Sequence, residues 1–329
     1  MFPLFSLCPS PTSMRSIGNM TRQIPASAVE LEARGITLDQ QKPEKAVEAD
    51  VTIADENGLP LVLSTTTMPA AEGQPERGVA LLTPGFTSSK ATFYPMMDVL
   101  AERGYRVISF SQRGQPGSQG ADTVEGYLLP HIAHDIFALL AEMGLEKTPI
   151  HLLGHSFGGV VATHAVLANP AQFASFTLWN SGPKMMEDDF ASVIDALKEH
   201  GPRALWVKDR LDDGLDPDAD LNGTLNDIEQ YYFNRLMAAH PAQLEAALGI
   251  LATQQDRTED LVAMKNETGL PILISHGAQD DAWPIEWQRE MADTLGADYW
   301  IVANAGHSAH ADRSYLSAQL LATFWDNAA

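Results

Sequence analysis

Three residues of the chain have the types that nucleophilic catalysis requires: a serine, an acid and a histidine. Ser156 lies in Gly-His-Ser-Phe-Gly-Gly, Asp280 follows a strand-like apolar run, and His307 lies in Asn-Ala-Gly-His-Ser. A serine hydroxyl is a weak nucleophile until a base accepts its proton, and an acid must hold the base in the correct tautomer. Together the three residues predict attack on a carbonyl carbon through an acyl-serine intermediate.

The surroundings of Ser156 fit the pattern G-x-S-x-G at a turn between a strand and a helix. The strand-like run Ile150–Leu153 precedes the motif, and a helical pattern starts near Val160. Gly154 and Gly158 leave room for the strained turn that exposes the serine. The N-terminus of the helix adds backbone N–H groups beneath the developing oxyanion. This context predicts a nucleophile elbow rather than a chance match.

On these motifs the chain from about Val47 to Trp325 resembles the α/β-hydrolase fold family. In particular it is similar to the lidded esterase and lipase-like members that carry a Gly-His-Ser-Phe-Gly-Gly elbow. The resemblance implies the chain order nucleophile, acid, histidine. Epoxide hydrolases and haloalkane dehalogenases of this fold carry aspartate at the nucleophile position, so Ser156 argues against both.

Two backbone N–H groups are expected to stabilise the oxyanion. One is that of Phe157, directly after the nucleophile, and the other comes from the loop after an early strand. That loop reads Thr-Pro-Gly-Phe and resembles the family's His-Gly-x loop, which assigns the second N–H to Phe86. Pro84 stands where the family usually has histidine, and proline cannot make that residue's hydrogen bonds.

The base is expected to be His307, although the chain contains 10 histidines. His307 follows the last predicted strand, Tyr299–Ala303, which is where the family has its base. His310 is the alternative. His155 flanks the nucleophile and is expected to shape the elbow.

The acid is expected in the segment Pro271–Pro284, which resembles the family's strand followed by G-x-x-D and a later proline. This match assigns Asp280. Its neighbour Asp281 is an alternative. Some relatives have their acid after the sixth strand, which would be Glu187 or Asp188 here.

A further loop, Phe-Ser-Gln-Arg-Gly-Gln-Pro-Gly-Ser at 110–118, resembles the family's D-x-R-G-x-G-x-S loop. Ser111 replaces the usual aspartate. Arg113 is expected to tie together the loops around the site rather than to act in catalysis.

The elements that would position these residues alternate between strand and helix patterns. This alternation predicts an α/β fold, with a mostly parallel, doubly wound sheet of about eight strands and helices on both faces. The predicted strands are Ala46–Ile53, Leu59–Thr65, Val79–Thr83, Arg106–Phe110, Ile150–Leu153, Phe173–Trp179, Ile272–His276 and Tyr299–Ala303. The active residues should lie at the carboxyl ends of strands.

The strand pattern is interrupted between residues 181 and 268, where the chain is helical and rich in aspartate turns. We interpret this stretch as a lid inserted into a core formed by 26–180 and 269–329. Residues 1–25 are expected to be a disordered extension, and the alternative start positions are Met1, Met14 and Met20.

Composition excludes several classes of function. The formal net charge of −22 would repel nucleic acid and favours a largely neutral small-molecule substrate. No apolar run is long enough to span a membrane. The chain has a single cysteine, Cys8, and no signal peptide pattern, which fits a cytoplasmic protein. No cofactor or metal motif is present, so neither is expected.

The expected activity is cleavage of an ester, thioester or lactone. An acyltransferase, an iminopeptidase-type amide hydrolase, a C–C hydrolase and a perhydrolase use the same three residues and stay open as alternatives. A non-catalytic ligand-binding homologue is a further alternative, although such proteins typically lose one of the three residues. The sequence leaves the substrate and the oligomeric state undetermined.

Overall fold

The computed structural model describes residues 41–184 and 190–328. The predictions for the extension 1–25 and for the start positions lie outside these residues. So do the alternative acids Glu187 and Asp188.

One eight-stranded sheet forms the centre of the described structure, in the order β1-β2-β4-β3-β5-β6-β7-β8. β1 and β2 are antiparallel to their neighbours, and the strands from β4 to β8 are parallel. The strands are β1 (Val47–Ala54), β2 (Pro60–Met68), β3 (Gly78–Thr83), β4 (Tyr105–Phe110), β5 (Ile150–His155), β6 (Phe173–Trp179), β7 (Ile272–Gly277) and β8 (Asp298–Val302). The mostly parallel sheet predicted from the sequence is confirmed.

The central strand β3 shows why these residues form a sheet covered on both sides. Val79 and Leu81 belong to the apolar core on one face, and Ala80 and Leu82 to the core on the other. Successive side chains of a strand point to opposite faces, so a strand buried on both sides is apolar throughout.

Twelve helices surround the sheet in the described residues. They are α1 (Tyr94–Glu102), α2 (Leu129–Glu142), α3 (Phe157–Ala168), α4 (Phe190–His200), α5 (Arg203–Asp212), α6 (Ala219–Asn222), α7 (Asp227–Met237), α8 (Pro241–Thr253), α9 (Thr258–Thr268), α10 (Ile285–Leu295), α11 (Ala309–Asp312) and α12 (Ser314–Ala328). α2, α3 and α10 contribute to the core on one face of the sheet, and α1 and α12 to the core on the other. None of the twelve is long and apolar enough to cross a membrane.

Two helices begin at other residues than the sequence pattern indicated. The segment 91–103 has apolar residues at helical spacing, which predicts a helix from Ala91; the chain there starts as a short 3-10 turn, and α1 begins at Tyr94 with Pro95 in its first turn. Proline is favoured there because the first helical N–H groups have no partner within the helix. The helix predicted near Val160 begins at Phe157, since close packing overrides the weak helix propensity of the two glycines after it.

The six helices α4–α9 occupy the stretch between β6 and β7, where the sequence predicted a helical insertion. α4 packs against α8, and the rings of Trp206 and Phe233 pack against each other at 5.2 Å. The His240 N–H donates a hydrogen bond to the Gly114 carbonyl at 2.8 Å. These helices are therefore attached to a loop at the carboxyl end of β4.

Candidate active site

Ser156 occupies the sharp turn between β5 and α3 with a strained backbone. Its φ of 54° and ψ of −124° are rare for a residue other than glycine and cost on the order of 1–3 kcal/mol. A Cβ added at Gly154 would collide with the Gly158 carbonyl, which explains why glycine flanks the turn. The Ser156 N–H donates to the Trp179 carbonyl at 3.0 Å, which fastens the turn to β6. The serine is only 1% exposed.

His307 and Asp280 are brought together although 27 residues separate them. His307 lies in the loop after β8, and Asp280 lies in the loop after β7. His307 Nδ1 is 2.9 Å from Asp280 Oδ1. A carboxylate only accepts hydrogen bonds, so Nδ1 donates and Nε2 is left as the basic nitrogen. This is the tautomer that a general base needs.

Asp280 is surrounded by hydrogen-bond donors. Its Oδ2 accepts from Asn180 Nδ2 at 3.0 Å and from Gln288 Nε2 at 3.1 Å, and its Oδ1 also accepts from the Ala282 N–H at 3.1 Å. Burial would raise the pKa of Asp280, but the neighbouring His307 and these hydrogen bonds lower it well below its usual range. The carboxylate therefore stays ionised beside the histidine.

The elbow is tied directly to the loop that carries the base. His155 Nε2 donates to the His307 carbonyl at 2.9 Å, and the two rings lie 5.1 Å apart. Burial lowers the pKa of His155 to about 3, and the nearby His307 acts in the same direction. His155 is thus a neutral connector between Ser156 and His307, in line with its expected role in shaping the elbow.

The alternative base and the alternative acid are placed differently. His310 is fully buried, with Nε2 at 2.9 Å from Thr92 Oγ1 and its ring 4.4 Å from that of His155. Burial lowers its pKa far below the usual value. Asp281 is exposed, whereas the hydrogen bond of His307 Nδ1 goes to Asp280. The geometry therefore favours the pair Asp280 and His307.

The loop expected to complete the oxyanion hole packs against the nucleophile. A Cβ on Gly85 would lie 3.0 Å from both Ser156 Cβ and His155 Nδ1, so a side chain there would press on the elbow. Phe86 follows it and is 8% exposed. Phe157 is the first residue of α3, where helical N–H groups have no partner within the helix. Phe157 thus follows Ser156 along the chain, and Phe86 follows the glycine that packs against Ser156.

Four polar residues of the site were missed by the sequence analysis. Asn180 and Gln288 hold Asp280, whereas Gln112 and Gln115 hold the loop of Gly85. A polar residue at the end of a predicted strand, such as Asn180, was a usable signal. Gln112 and Gln115 lie in the loop 110–118 that the sequence already singled out, but their side-chain partners could not be read from it. Gln288 carried no signal that distinguishes it from a surface residue.

Trp283 packs beside His307, whereas Arg113 holds neighbouring loops together through ion pairs. Trp283 is buried, stacks on His307 at 6.1 Å, and donates its indole N–H to the Lys184 carbonyl at 2.7 Å. Arg113 is paired with Asp135 and Glu56 and is 3% exposed. These contacts are those of the loop tie expected from the sequence. In the described ranges no cluster of three or more His, Cys, Asp or Glu side chains is arranged to hold a metal ion.

Comparison with known proteins places this geometry in context. The family model described as the alpha/beta hydrolase fold matches residues 80–314 of this chain. Among solved structures, an esterase from Thermogutta terrifontis superposes with a TM-score of 0.66 at 21% identity. The match covers 86% of this chain and 99% of the esterase. At this identity the likeness shows the fold alone.

Three curated relatives match at low identity. A candidate carbamate hydrolase of Variovorax paradoxus, RutD, is 33% identical over 135 residues, which are 40% of this chain and 50% of that protein. Epoxide hydrolase A of Mycobacterium tuberculosis is 26% identical over 63% of this chain and 62% of its own length. 3-Oxoadipate enol-lactonase 1 of Acinetobacter baylyi is 25% identical over 67% of this chain and 78% of its own. The chain thus spans less than two thirds of the first two relatives.

Proposed function

Because the chain belongs to the α/β-hydrolase fold family, we propose that it is a serine hydrolase. It cleaves a carboxylic ester, thioester or lactone of a small, largely neutral substrate. The observation that carries the proposal is the 2.9 Å hydrogen bond between His307 and Asp280 next to the strained elbow of Ser156. The relatives named as a carbamate hydrolase and an enol-lactonase support acyl chemistry at this site.

The reaction proceeds in two steps. His307 Nε2 removes the proton of the Ser156 hydroxyl, whose oxygen attacks the carbonyl carbon. The N–H groups of Phe86 and Phe157 bind the oxyanion, and the Asp280 carboxylate stabilises the imidazolium. The imidazolium protonates the leaving alcohol, thiol or enol, and the acyl-serine forms. Water then attacks the acyl-serine with His307 again as base, and the acid is released.

The nucleophile separates this proposal from the epoxide hydrolase relative. In the epoxide hydrolases of this fold the nucleophile is aspartate, whose carboxylate attacks a carbon of the epoxide ring. Ser156 occupies that position here, at the turn between β5 and α3. A serine alkoxide with two nearby N–H donors is suited to a carbonyl substrate, because the charge then develops on an oxygen.

We further propose that residues 181–268 form a lid over the nucleophile. Ser156 is 1% exposed, so a substrate reaches it only when neighbouring segments move. The helices α4–α9 form this insertion, and their aromatic contacts give it apolar surface for packing or for an acyl group. The net charge of −22 favours neutral over anionic substrates.

The test of the proposal is Ser156→Ala. We expect this variant to lose at least about 10³-fold in kcat on activated esters, because the nucleophile is gone, and to lose labelling by a fluorophosphonate probe. Ser175→Ala is the matched control, since it removes another buried serine hydroxyl that contacts His151 at the far end of β5 and β6. Full activity of Ser156→Ala, or an unlabelled parent protein, would contradict the proposal.

A substrate panel then separates hydrolysis from the other reactions of the same three residues. Esters, lactones, amides and carbamates are compared on the purified protein, and an added alcohol or amine competes with water for the acyl group. We expect esters or lactones to react fastest and water to be the preferred acceptor. Preferred acyl transfer to the alcohol would instead indicate an acyltransferase.

A further inference from the structure

We propose that Gln115, supported by Gln112, is a positioning residue that aims the Phe86 N–H at the oxyanion. This inference rests on the proposed function and adds two residues to its machinery. The loop before Phe86 has Pro84 where the family usually has histidine, so another group must hold it. The two glutamines lie on the loop after β4, and both are only 1% exposed.

The first step of the argument is the geometry of one peptide group. The Gly85 carbonyl and the Phe86 N–H belong to the same planar, trans peptide, so they point in opposite directions. Gln115 Nε2 donates to the Gly85 carbonyl oxygen at 2.8 Å. Fixing the carbonyl from this side fixes the direction of the Phe86 N–H on the other side.

The second step is that the hydrogen bonds form a connected set. The Gln112 N–H donates to Gln115 Oε1 at 2.9 Å, which holds the Gln115 amide in one orientation. Gln112 Nε2 in turn donates to the Pro84 carbonyl at 2.7 Å. Two consecutive carbonyls of the loop are therefore each held by a buried glutamine amide.

The third step compares the hydrogen bonds that the Gly85 carbonyl accepts. Proline has no N–H group, and the glycine has no side chain, because a Cβ there would press on Ser156. The Ser88 N–H also approaches the Gly85 carbonyl, but at 3.4 Å. The Gln115 bond is the shorter of the two and comes from a buried side chain.

The fourth step concerns Gln112 Oε1, a buried oxygen without a hydrogen-bond partner among the described residues. Leaving a buried acceptor unpaired costs free energy, so such a group calls for an explanation. We attribute it to position: the amide is oriented to present Nε2 to the Pro84 carbonyl. Gln112 Oε1 stays unpaired because this orientation of the amide is the one that holds the loop.

We expect loss of the Gln115 hydrogen bond to affect catalysis rather than the stability of the fold. A hydrogen bond to the carbonyl polarises the peptide and strengthens its N–H as a donor, in addition to fixing its direction. A correctly aimed donor binds the oxyanion better than it binds the ground-state carbonyl. Loss of Gln115 should therefore lower kcat and leave KM nearly unchanged.

The experiment compares Gln115→Glu and Gln115→Met with the control Gln172→Met. Gln115→Glu keeps an acceptor for the Gln112 N–H, and as a carboxylate it cannot donate to the Gly85 carbonyl, but it also adds a negative charge. Gln115→Met removes the donor without adding a charge. Gln172 is a buried glutamine whose Nε2 donates to the Thr148 carbonyl at 2.8 Å, away from the site. Kinetics, the melting temperature and the affinity for a trifluoromethyl ketone, whose serine adduct carries an oxyanion, are measured for each variant.

We expect both Gln115 variants to lose about 10- to 100-fold in kcat, somewhat less than loss of a direct oxyanion donor. KM should stay within about twofold, and affinity for the trifluoromethyl ketone should fall by the same factor as kcat. Gln172→Met should lower only the melting temperature. Unchanged kcat in a folded Gln115 variant overturns the inference, as does a loss that follows the melting temperature. If Gln115→Met does not fold, Gln115→Leu replaces it as the uncharged variant.

The two proposals fail in different ways. If Ser156→Ala is inactive and unlabelled while both Gln115 variants keep the parent kcat, only the positioning role is wrong. If Ser156→Ala keeps its activity, the serine mechanism itself is wrong.

Discussion

At Asp280 a carboxylate that burial would neutralise is kept charged by its neighbours. One oxygen faces His307, and the other accepts from Asn180 and Gln288. A carboxylate with both oxygens occupied cannot rotate, so the imidazole ring that depends on it has one orientation. The residues around Asp280 thus act on the base through the acid.

Replacing Asn180 tests this arrangement. Asn180→Ala removes the donor to Asp280 Oδ2 at 3.0 Å and a second bond to the Gly306 carbonyl at 3.1 Å, next to His307. We expect kcat to fall about 10-fold because the acid and the base loop are both less well held. Asn234→Ala, at an exposed site on α7, is the control in the same kinetic assay. Equal kcat values for the two variants would contradict this role.

The members of the site differ in how far the sequence revealed them. Ser156, His307 and Asp280 stand in short motifs after strands, and the structure brings the last two into contact. Asn180 lies 100 residues from Asp280 along the chain. Gln115 lies 30 residues from Gly85. Such contacts depend on which strands become neighbours, and local sequence patterns do not contain this information.

At the scale of elements, α7 shows how the insertion between β6 and β7 is stabilised. Asn226 caps the helix by accepting from the N–H groups of Ile228 and Glu229, each at 3.0 Å. Glu229 accepts from the Asn226 N–H in return and also pairs with Arg210 on α5. This capping box joins the start of one helix to the side of another.

Removing the cap should loosen the insertion and leave the core unchanged. Asn226→Ala is expected to destabilise α7 by about 1 kcal/mol, which is roughly a fivefold increase in local opening. Hydrogen exchange of residues 203–237 would measure this increase. Asn222→Ala, at an exposed position nearby, is the control. Faster exchange throughout β3 and β5 would show that the insertion and the core unfold as one unit instead.

The elements themselves were largely predictable. All eight strands were predicted within a few residues. The central parallel strands are short buried apolar runs with clear ends, and Asn57-Gly58 marks the turn between the antiparallel β1 and β2. The start of α3 was predicted three residues late, at Val160 rather than Phe157. Gly158 lies there because the Thr83 and Pro84 carbonyls pack against it, and Gly159 because the Ser181 side chain does, which is a tertiary effect.

At the scale of the whole molecule, three buried histidines make folding sensitive to acid. Burial lowers the pKa of His151 to about 4 and that of His155 to about 3, and it lowers that of His310 well below its usual value. In the unfolded chain each has an ordinary pKa of about 6.5. Below this pH the unfolded chain binds protons that the folded protein does not, so stability falls as the pH falls.

We therefore expect the free energy of unfolding to decrease between about pH 6.5 and pH 4. The slope is up to about 1.4 kcal/mol per pH unit for each of the three histidines. Urea unfolding at pH 7.5, 6.0 and 5.0 would measure it. In His151→Gln the slope should be smaller by the contribution of one histidine, which is up to about 1.4 kcal/mol per pH unit. Stability that is constant over this range would show that the three rings are not buried and neutral in solution.

The C-terminal helix α12 is needed to cover one apolar face of the sheet, so this face can be buried only late in synthesis. Its residue Asp326 accepts hydrogen bonds from Arg103 and Tyr105, which lie 223 and 221 residues earlier. Its apolar side chains, with those of α1, cover one face of the central strands. On the ribosome this face of the nascent chain stays exposed until α12 has emerged. We therefore expect this apolar face to be accessible to chaperones from the synthesis of the central strands until α12 has emerged.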